Sequence, residues 1–341
     1  MRKIRLIDTT LRDGMHAVSH QLTPAQMAGV AKGLDEAGVG TIELGHGDGL
    51  GGSSFQYGFS KATDREYLTA VGRVLKNAKM DVLLIPGIGT IEHLKEAMEC
   101  GAKTVRVATH VTEADVAEEH IHFAKRNGLE TVGFLMMSHM ASPEKIVEQA
   151  KKMESYGSDI IYVTDSAGAM VPDDVKARIS AVKNAVAVPV GFHAHNNLGL
   201  AIGNTLAAIE TGAEVVDGSV RGLGAGAGNA QMEVLVAVLA KMDYATGVDL
   251  YKIMDVGEQL VEPLMHRPIV INNAALCIGY AGAYGSFLLH AYRAGEKFHV
   301  DPRDILIEMG RRKTVGGQED MIIDVAIELA KQKGNTLKAT K

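Results

Sequence analysis

Residues 131–164 read TVGFLMMSHMASPEKIVEQAKKMESYGSDIIYVT. The segment opens on an apolar run, Thr131–Met136, and closes on another, Ile160–Thr164. Between them, Ser142-Pro143 supplies a capping side chain followed by proline at the first helical position, and Gly157 ends the helical stretch. Two short apolar strands joined by an amphipathic helix of roughly three turns predict parallel strands with the helix laid over the sheet.

The unit recurs along the chain. Strand-like runs at Ile4–Asp8, Thr41–Leu44, Val82–Ile85, Thr104–Ala108, Val190–His195 and Glu214–Ser219 complete a set of eight. Thr23-Pro24 starts a helix that Gly38 stops, and Pro172 with Asp173 and Asp174 starts another. Eight βα units, ending near residue 245, predict an α/β fold closed as a (β/α)8 TIM barrel rather than an open sheet. Beyond residue 250 strand signals fade. Helical stretches such as Ile322–Lys331 predict a C-terminal helical extension, giving domains at 1–265 and 266–341. Its glycine-rich stretch, Ile278 to Phe287, is unusual for a helix and is expected to approach a substrate or the barrel mouth.

The 341 residues are 46% hydrophobic, enough for a large core, and the net charge of −6 comes with no basic stripe. Tryptophan is absent and aromatics are only 5%, which argues against nucleic acid as a partner. Cys100 and Cys277 stand apart and read as small buried hydrophobes in a reducing compartment. No apolar run reaches the roughly 20 residues of a membrane span, and no signal segment precedes the first strand. A soluble, cytoplasmic chain with no membrane partner is expected.

In such barrels chemistry collects at the C-terminal ends of the strands. The first strand delivers Arg12 and Asp13. The seventh, VGFHAHNN, carries His193 and His195, whose spacing of two puts both imidazoles on one face. Two imidazoles and a carboxylate make a divalent-metal site with open positions, suited to Mn²⁺, Mg²⁺, Co²⁺ or Zn²⁺; two unrelated histidines are the plainer alternative. Arg12 either neutralises a buried acid, with Glu43 a candidate, or stabilises a developing oxyanion. His16 is a general-base candidate or a loop histidine. His20 and His46 have less to recommend them. Asp165 and Ser166, after strand six, either cap the next turn or bind a ligand. The run VRGLGAGAGNAQ after strand eight reads as a tight glycine turn with Asn229 capping the next helix. The long loop Gly45 to Lys61 is a lid, a binding loop or a mobile surface segment.

A metal next to a fixed cation suits a 2-oxo acid, whose enolate it stabilises, while a neighbouring base takes a hydroxyl proton and a C–C bond breaks as a retro-aldol. No predicted strand ends in lysine, so Schiff-base chemistry is disfavoured.

At DTTLRDG and HAHNN the sequence resembles the DRE-TIM metallolyase superfamily. The stretches RDGMHA, ELGHGDGLGGSSFQYG, LLIPGIGT, TDSAG and GYAGAYGSFLLH narrow the resemblance to the 4-hydroxy-2-oxovalerate aldolases of aromatic meta-cleavage pathways. The resemblance implies cleavage of 4-hydroxy-2-oxopentanoate to pyruvate and acetaldehyde. It implies Asp13, His193 and His195 as ligands of Mn²⁺, with Mg²⁺ or Co²⁺ as alternatives. It implies Arg12 as stabiliser of the enolate, His16 as general base, and Ser166 and Tyr284 as substrate contacts. It also implies a hetero-complex, a heterotetramer, with an acylating acetaldehyde dehydrogenase. The C-terminal helices would dock that partner, and the volatile aldehyde would pass through a channel. The region Leu83 to Ile85 is a candidate wall of the aldehyde pocket. A Claisen-type acyltransferase using acetyl-CoA, of the isopropylmalate or homocitrate synthase kind, is the alternative, and a non-catalytic scaffold for the dehydrogenase is the third reading.

Overall fold

The structure is a computed structural model and describes residues 2–339. Eight parallel strands close into a barrel: β1 (Arg5–Leu11), β2 (Thr41–Leu44), β3 (Lys79–Leu84), β4 (Thr104–His110), β5 (Glu130–Met136), β6 (Ile160–Asp165), β7 (Val190–Ala194) and β8 (Val215–Gly218). Pairing of Arg5 with Val215 and Asp8 with Gly218 brings β1 against β8 and shuts the ring. Helices α1 (Pro24–Glu36), α2 (Asp64–Gly72), α3 (Ile91–Glu99), α4 (Glu118–Arg126), α5 (Pro143–Ser155), α6 (Pro172–Lys183), α7 (Ala201–Thr211) and α8 (Met232–Lys241) follow the strands in turn. The Thr23 and Ser142 caps form as the sequence predicts, with Thr23 accepting from the Gln26 amide and Ser142 from Lys145.

Most strand boundaries fall within two residues of the sequence reading, and two differ by three, each because a polar residue hides a strand. β1 runs on to Leu11, through Asp8, Thr9 and Thr10, with a register shift between Asp8 and Leu11 that lets Leu11 pair with Leu44. The shift is supported from inside the strand, since the Asp8 carboxylate accepts from the Thr10 amide (2.9 Å) and hydroxyl (2.9 Å). β3 begins earlier than predicted, at Lys79, because the polar Asp81 faces the barrel axis and pairs in register with Glu43 of β2.

Residues of alternate parity fill the barrel. Ile7, Leu83, Ala108, Val132, Phe134, Ile160, Tyr162 and Val215 form the inner apolar cluster, and a much larger cluster joins the outer strand faces to the helices. Gly191 makes room inside: a Cβ there would lie 2.1 Å from the Tyr162 ring. That is why a glycine stands second in the seventh strand, directly before its aromatic and histidine residues.

After the barrel, α9 (Leu250–Asp255) leads to four further helices: α10 (Asn273–Ala281), α11 (Phe287–Phe298), α12 (Pro302–Arg311) and α13 (Met321–Ala339). These helices bury their own core, including Phe287, Ile305, Leu306, Met309, Ile322 and Val325. Cys277 belongs to that core, and both cysteines are free thiols. The extension sits on the strand-end side of the barrel. His139 Nε2 pairs with the Gly282 carbonyl at 3.0 Å, Lys313 Nζ donates to the Met140 carbonyl at 2.9 Å, and Ile278 packs with Met137, Met140 and Ala167. Among the described residues, no helix is long and apolar enough to cross a membrane.

Candidate functional site

β1 ends at Leu11, and the chain turns at once into a short 3-10 segment, Asp13–His16. This turn aims Arg12 and Asp13 into the barrel mouth, where both are buried. The Asp13 carboxylate accepts from Arg12 Nη1 at 3.0 Å and from the Asn229 side-chain amide. Asn229 was expected to cap the helix after strand eight. Instead α8 starts at Met232 with Gln231 at its N-cap, and the Asn229 amide is spent on Asp13. The glycine run makes the turn foreseen there, with Gly222, Gly226 and Gly228 all at positive φ.

His193 on β7 and His195, one residue past its end, share a face, ring centroids 4.9 Å apart and nearly perpendicular. His193 Nδ1 lies 2.7 Å from Asp217 Oδ1 on β8. A carboxylate at that position accepts a hydrogen bond from Nδ1–H, which fixes the tautomer and leaves Nε2 with a free lone pair. Donor atoms of Asp13, His193 and His195 lie within 4.8 Å of one another, and all three residues are buried. His195 Nε2 and Asp13 Oδ2 are 3.9 Å apart, too far for a hydrogen bond. Donors that share an ion, each with a bond of about 2.0–2.2 Å, sit roughly 3–4 Å apart, so the residues present fit a divalent cation.

Electrostatics keep these donors competent. Burial alone would raise the Asp13 carboxyl, but Arg12 and then His195 outweigh it and hold Asp13 well below the usual carboxylate range. Burial pushes His195 down to about 4, against the pull of Asp13, so its imidazole is neutral at neutral pH. Burial would also lower Arg12, yet Glu43 and Asp13 raise it above its ordinary value and fix its charge. The Arg12 guanidinium is tied at Nε to Glu43 Oε2 (2.7 Å) and at Nη1 to Asp13 and the Gly47 carbonyl (3.2 Å). Among the described residues, Nη2 makes no hydrogen bond to protein. The first reading of Arg12 is thus what the geometry shows, since the guanidinium neutralises Glu43.

His16 stands at the far end of the same turn, half-buried, its Nε2 against Gly47. It forms part of the wall of a cavity of about 380 Å³ with Ser19, Gly224, Ala225, Gly226, His266 and Arg267. A volume near 400 Å³ suits a small organic molecule. Gly224 joins this cavity to the donors, because a Cβ there would lie 2.8 Å from Asp13 Oδ2. His20 and His46 serve the long loop instead. Their rings stack at 3.7 Å, His20 Nδ1 accepts from the Gly47 amide at 3.3 Å, and His46 spans to the Gly58 carbonyl at 3.0 Å. Burial, then His46 and His16, push His20 down to about 3, as suits a neutral packed ring. The loop 45–61 is thereby anchored at its base, directly over Arg12.

Ser166 and Tyr284 approach from the β5–β6 side. Ser166 Oγ accepts from the Met137 amide at 3.0 Å. The turn after β6 is capped by Asp165, which takes the amides of Ala169 (2.9 Å) and Met170 (3.0 Å). Tyr284 lies half-buried beside Met136, Met137 and Ala167 and against Phe287, and burial pushes its hydroxyl up to about 12. No hydrogen bond joins Ser166 or Tyr284 to the three donors among the described residues.

Sequence reasoning missed Arg106, Asp81 and Asp217. Each faces inward from the middle or end of a strand, fully buried, and forms part of an ionic layer next to His193. A charge inside a β-branched run, as in TVRVATH or VVDG, was the available signal. Burial pushes the Asp81 carboxyl up to about 8, against Arg106. His266 and Arg267 were missed because they lie in an irregular segment that only the fold brings to the cavity.

A family model described as HMGL-like matches residues 3–261, and one described as a DmpG-like communication domain matches residues 269–331. The chain is 71% identical to a 4-hydroxy-2-oxovalerate aldolase of Carboxydothermus hydrogenoformans, over 97% of this chain and 98% of that one. It is 58% identical to a protein of the same name from Pseudomonas putida, over 97% and 96%. Among solved structures, the HMG-CoA lyase of Brucella melitensis superposes with a TM-score of 0.69 at 21% identity, covering 78% of this chain and all of that one, a likeness of fold.

Proposed function

The chain belongs to the HMGL-like family, and we propose that it is a divalent-metal-dependent, class II aldolase that cleaves 4-hydroxy-2-oxopentanoate to pyruvate and acetaldehyde. The observation that carries this reading is the buried set Asp13, His193 and His195, gathered from two opposite stretches of sequence beside the Arg12 guanidinium. Mn²⁺ is the ion proposed, with Mg²⁺ or Co²⁺ able to replace it in such a mixed nitrogen and oxygen set. When bound, the ion supplies Lewis acidity toward the carboxylate and keto oxygens of the 2-oxo acid.

The remaining roles fall to the chain's own groups. His16 takes the proton of the C4 hydroxyl, the C4 oxygen forms a carbonyl, and the C3–C4 bond breaks with its electrons moving toward the C2 oxygen. Arg12, fixed by Glu43 and Gly47, holds its free edge where that negative charge grows. A proton returned to C3 completes pyruvate. Ser166 and Tyr284 are assigned to substrate contact; the buried Tyr284 hydroxyl stays protonated and can donate. The C-terminal helices are proposed to dock an acylating aldehyde dehydrogenase as a heterotetramer that receives the aldehyde. Exposed Leu276, Tyr280, Leu289 and Tyr292 on α10 and α11 support such a surface.

The test is one coupled assay: racemic 4-hydroxy-2-oxopentanoate with Mn²⁺, reading pyruvate, with and without EDTA. Pyruvate release that EDTA abolishes and Mn²⁺ restores is expected. Undiminished release in EDTA overturns the metal reading, and no release under any condition overturns the substrate.

A further inference from the structure

TIM-barrel interiors are ordinarily layered with branched apolar side chains. Here the layer holding His193 is ionic. Arg106, on β4, is completely buried, its guanidinium 4.6 Å over the Tyr162 ring and 5.2 Å over Phe134. Its Nη1 donates to Asp217 Oδ2 at 2.7 Å, while the other oxygen of the same carboxylate meets His193 Nδ1 at 2.7 Å. Its Nε lies 3.3 Å from Asp81 Oδ2 and 3.7 Å from Glu43 Oε1, an ionic approach too long for a hydrogen bond, and the second oxygen of Glu43 accepts from Arg12 Nε at 2.7 Å. Arg12 in turn holds Asp13. The ionic chain thus runs from one donor, His193, to another, Asp13, and crosses the barrel at a single residue.

Burying such a chain is costly, and apolar filler of the same volume is often at least as stable. Bulk stability is therefore a poor reason for its presence. A guanidinium can serve two carboxylates at once because it is a planar fork of fixed shape. We propose that Arg106 is a positioning residue for the metal site, orienting His193 through Asp217 and the Arg12–Asp13 pair through Glu43. This rests on the metal reading above and adds to it a mechanical link between the two arms of the site. A role confined to neutralising acids needs only a charge, whereas orientation needs the fork.

The test measures Mn²⁺ affinity of the purified full chain by the loss of free-ion EPR signal, with folding followed by thermal denaturation. Asp217→Asn and Glu43→Gln, both isosteric, are each expected to weaken Mn²⁺ binding by about 10–100-fold. Because Arg106 joins the two acids, the double variant should fall short of the product of the single effects by about threefold or more. Arg106→Lys keeps the charge and loses the fork, and it should stay weakened. Singles that bind Mn²⁺ as the wild type does, effects that simply multiply, or full rescue by lysine each overturn the proposal while leaving the metal reading intact. If Arg106→Lys does not fold, the isosteric singles and their double decide. A wild-type chain that binds no divalent ion overturns the metal reading itself, and this inference with it.

Discussion

Gly224 has no side chain, and the site has no space for one. A Cβ there would stand 2.8 Å from Asp13 Oδ2 and 2.7 Å from Asn229 Nδ2, against 3.4 Å or more for an ordinary contact. Gly224→Ala must therefore move the Asp13 oxygen or the loop by about 0.6 Å. The carboxylate is held by Arg12 and Asn229. The loop is pinned by the Ala227 amide on Asn197 Oδ1 (2.9 Å) and the Asn196 amide on the Gly228 carbonyl (2.8 Å). Gly224 is not at positive φ, so the substitution is steric without backbone strain. A displacement of this size exceeds the roughly 0.5 Å tolerance of a working constellation. Since about 1 Å of misplacement costs on the order of 100-fold, kcat/KM should fall about 10–100-fold, or about 1.4–2.7 kcal/mol of transition-state stabilisation. Pyruvate release is the assay, with Mn²⁺ affinity measured alongside. Gly203→Ala, in α7 with nothing within 4 Å of the added methyl, is the control and should match the wild type. Gly224→Ala with unaltered activity and metal affinity would refute the claim that the glycine turn packs on the catalytic carboxylate.

Three further substitutions probe other parts of the account. His16→Ala should cost on the order of 10²–10⁴-fold in kcat while leaving Mn²⁺ affinity unchanged; loss of the metal as well contradicts its assignment as base. Arg12→Ala should cost at least on the order of 10²–10³-fold, the loss of one oxyanion donor, and will also leave Glu43 buried without its guanidinium, so a lowered melting temperature should accompany it. Burial raises Asp8 from 3.8 to about 7 despite its bonds to Thr10. A carboxyl raised on folding holds its proton in the native state, so stability from this group is greatest below pH 3.8 and is lost as pH rises toward 7. Asp8→Asn should therefore flatten urea-unfolding stability between about pH 4 and 7, with a ceiling on the order of 4 kcal/mol; an unchanged slope contradicts this.

The barrel was legible because its signals are local. Apolar runs recur eight times, the Thr23-Pro24 and Ser142-Pro143 caps and the glycine stops mark several of the helices between them, and each signal is decided by neighbours in sequence. The clustering of Asp13 with His193 and His195 was legible for a related reason: Asp13 stands two residues past its strand, and the two histidines declare their common face by spacing. What escaped was long-range. Asn229 looks like a helix cap until the fold places Asp13 against it, across more than 200 residues. Arg106, Asp81 and Asp217 read as interruptions in apolar strands, since only barrel closure reveals that charges on β3, β4 and β8 meet on the axis. Cavity residues His266 and Arg267 lie in an irregular segment, where no periodicity reports what a side chain faces.

The central claim is that one divalent ion is held by groups from β1 and β7, and crystals grown with Mn²⁺ test it most directly through anomalous scattering at the manganese edge. The account predicts a single strong peak about 2.0–2.3 Å from Asp13, His193 and His195 together, absent in His195→Ala. A peak elsewhere, or a barrel mouth without manganese in crystals of the active enzyme, would contradict it.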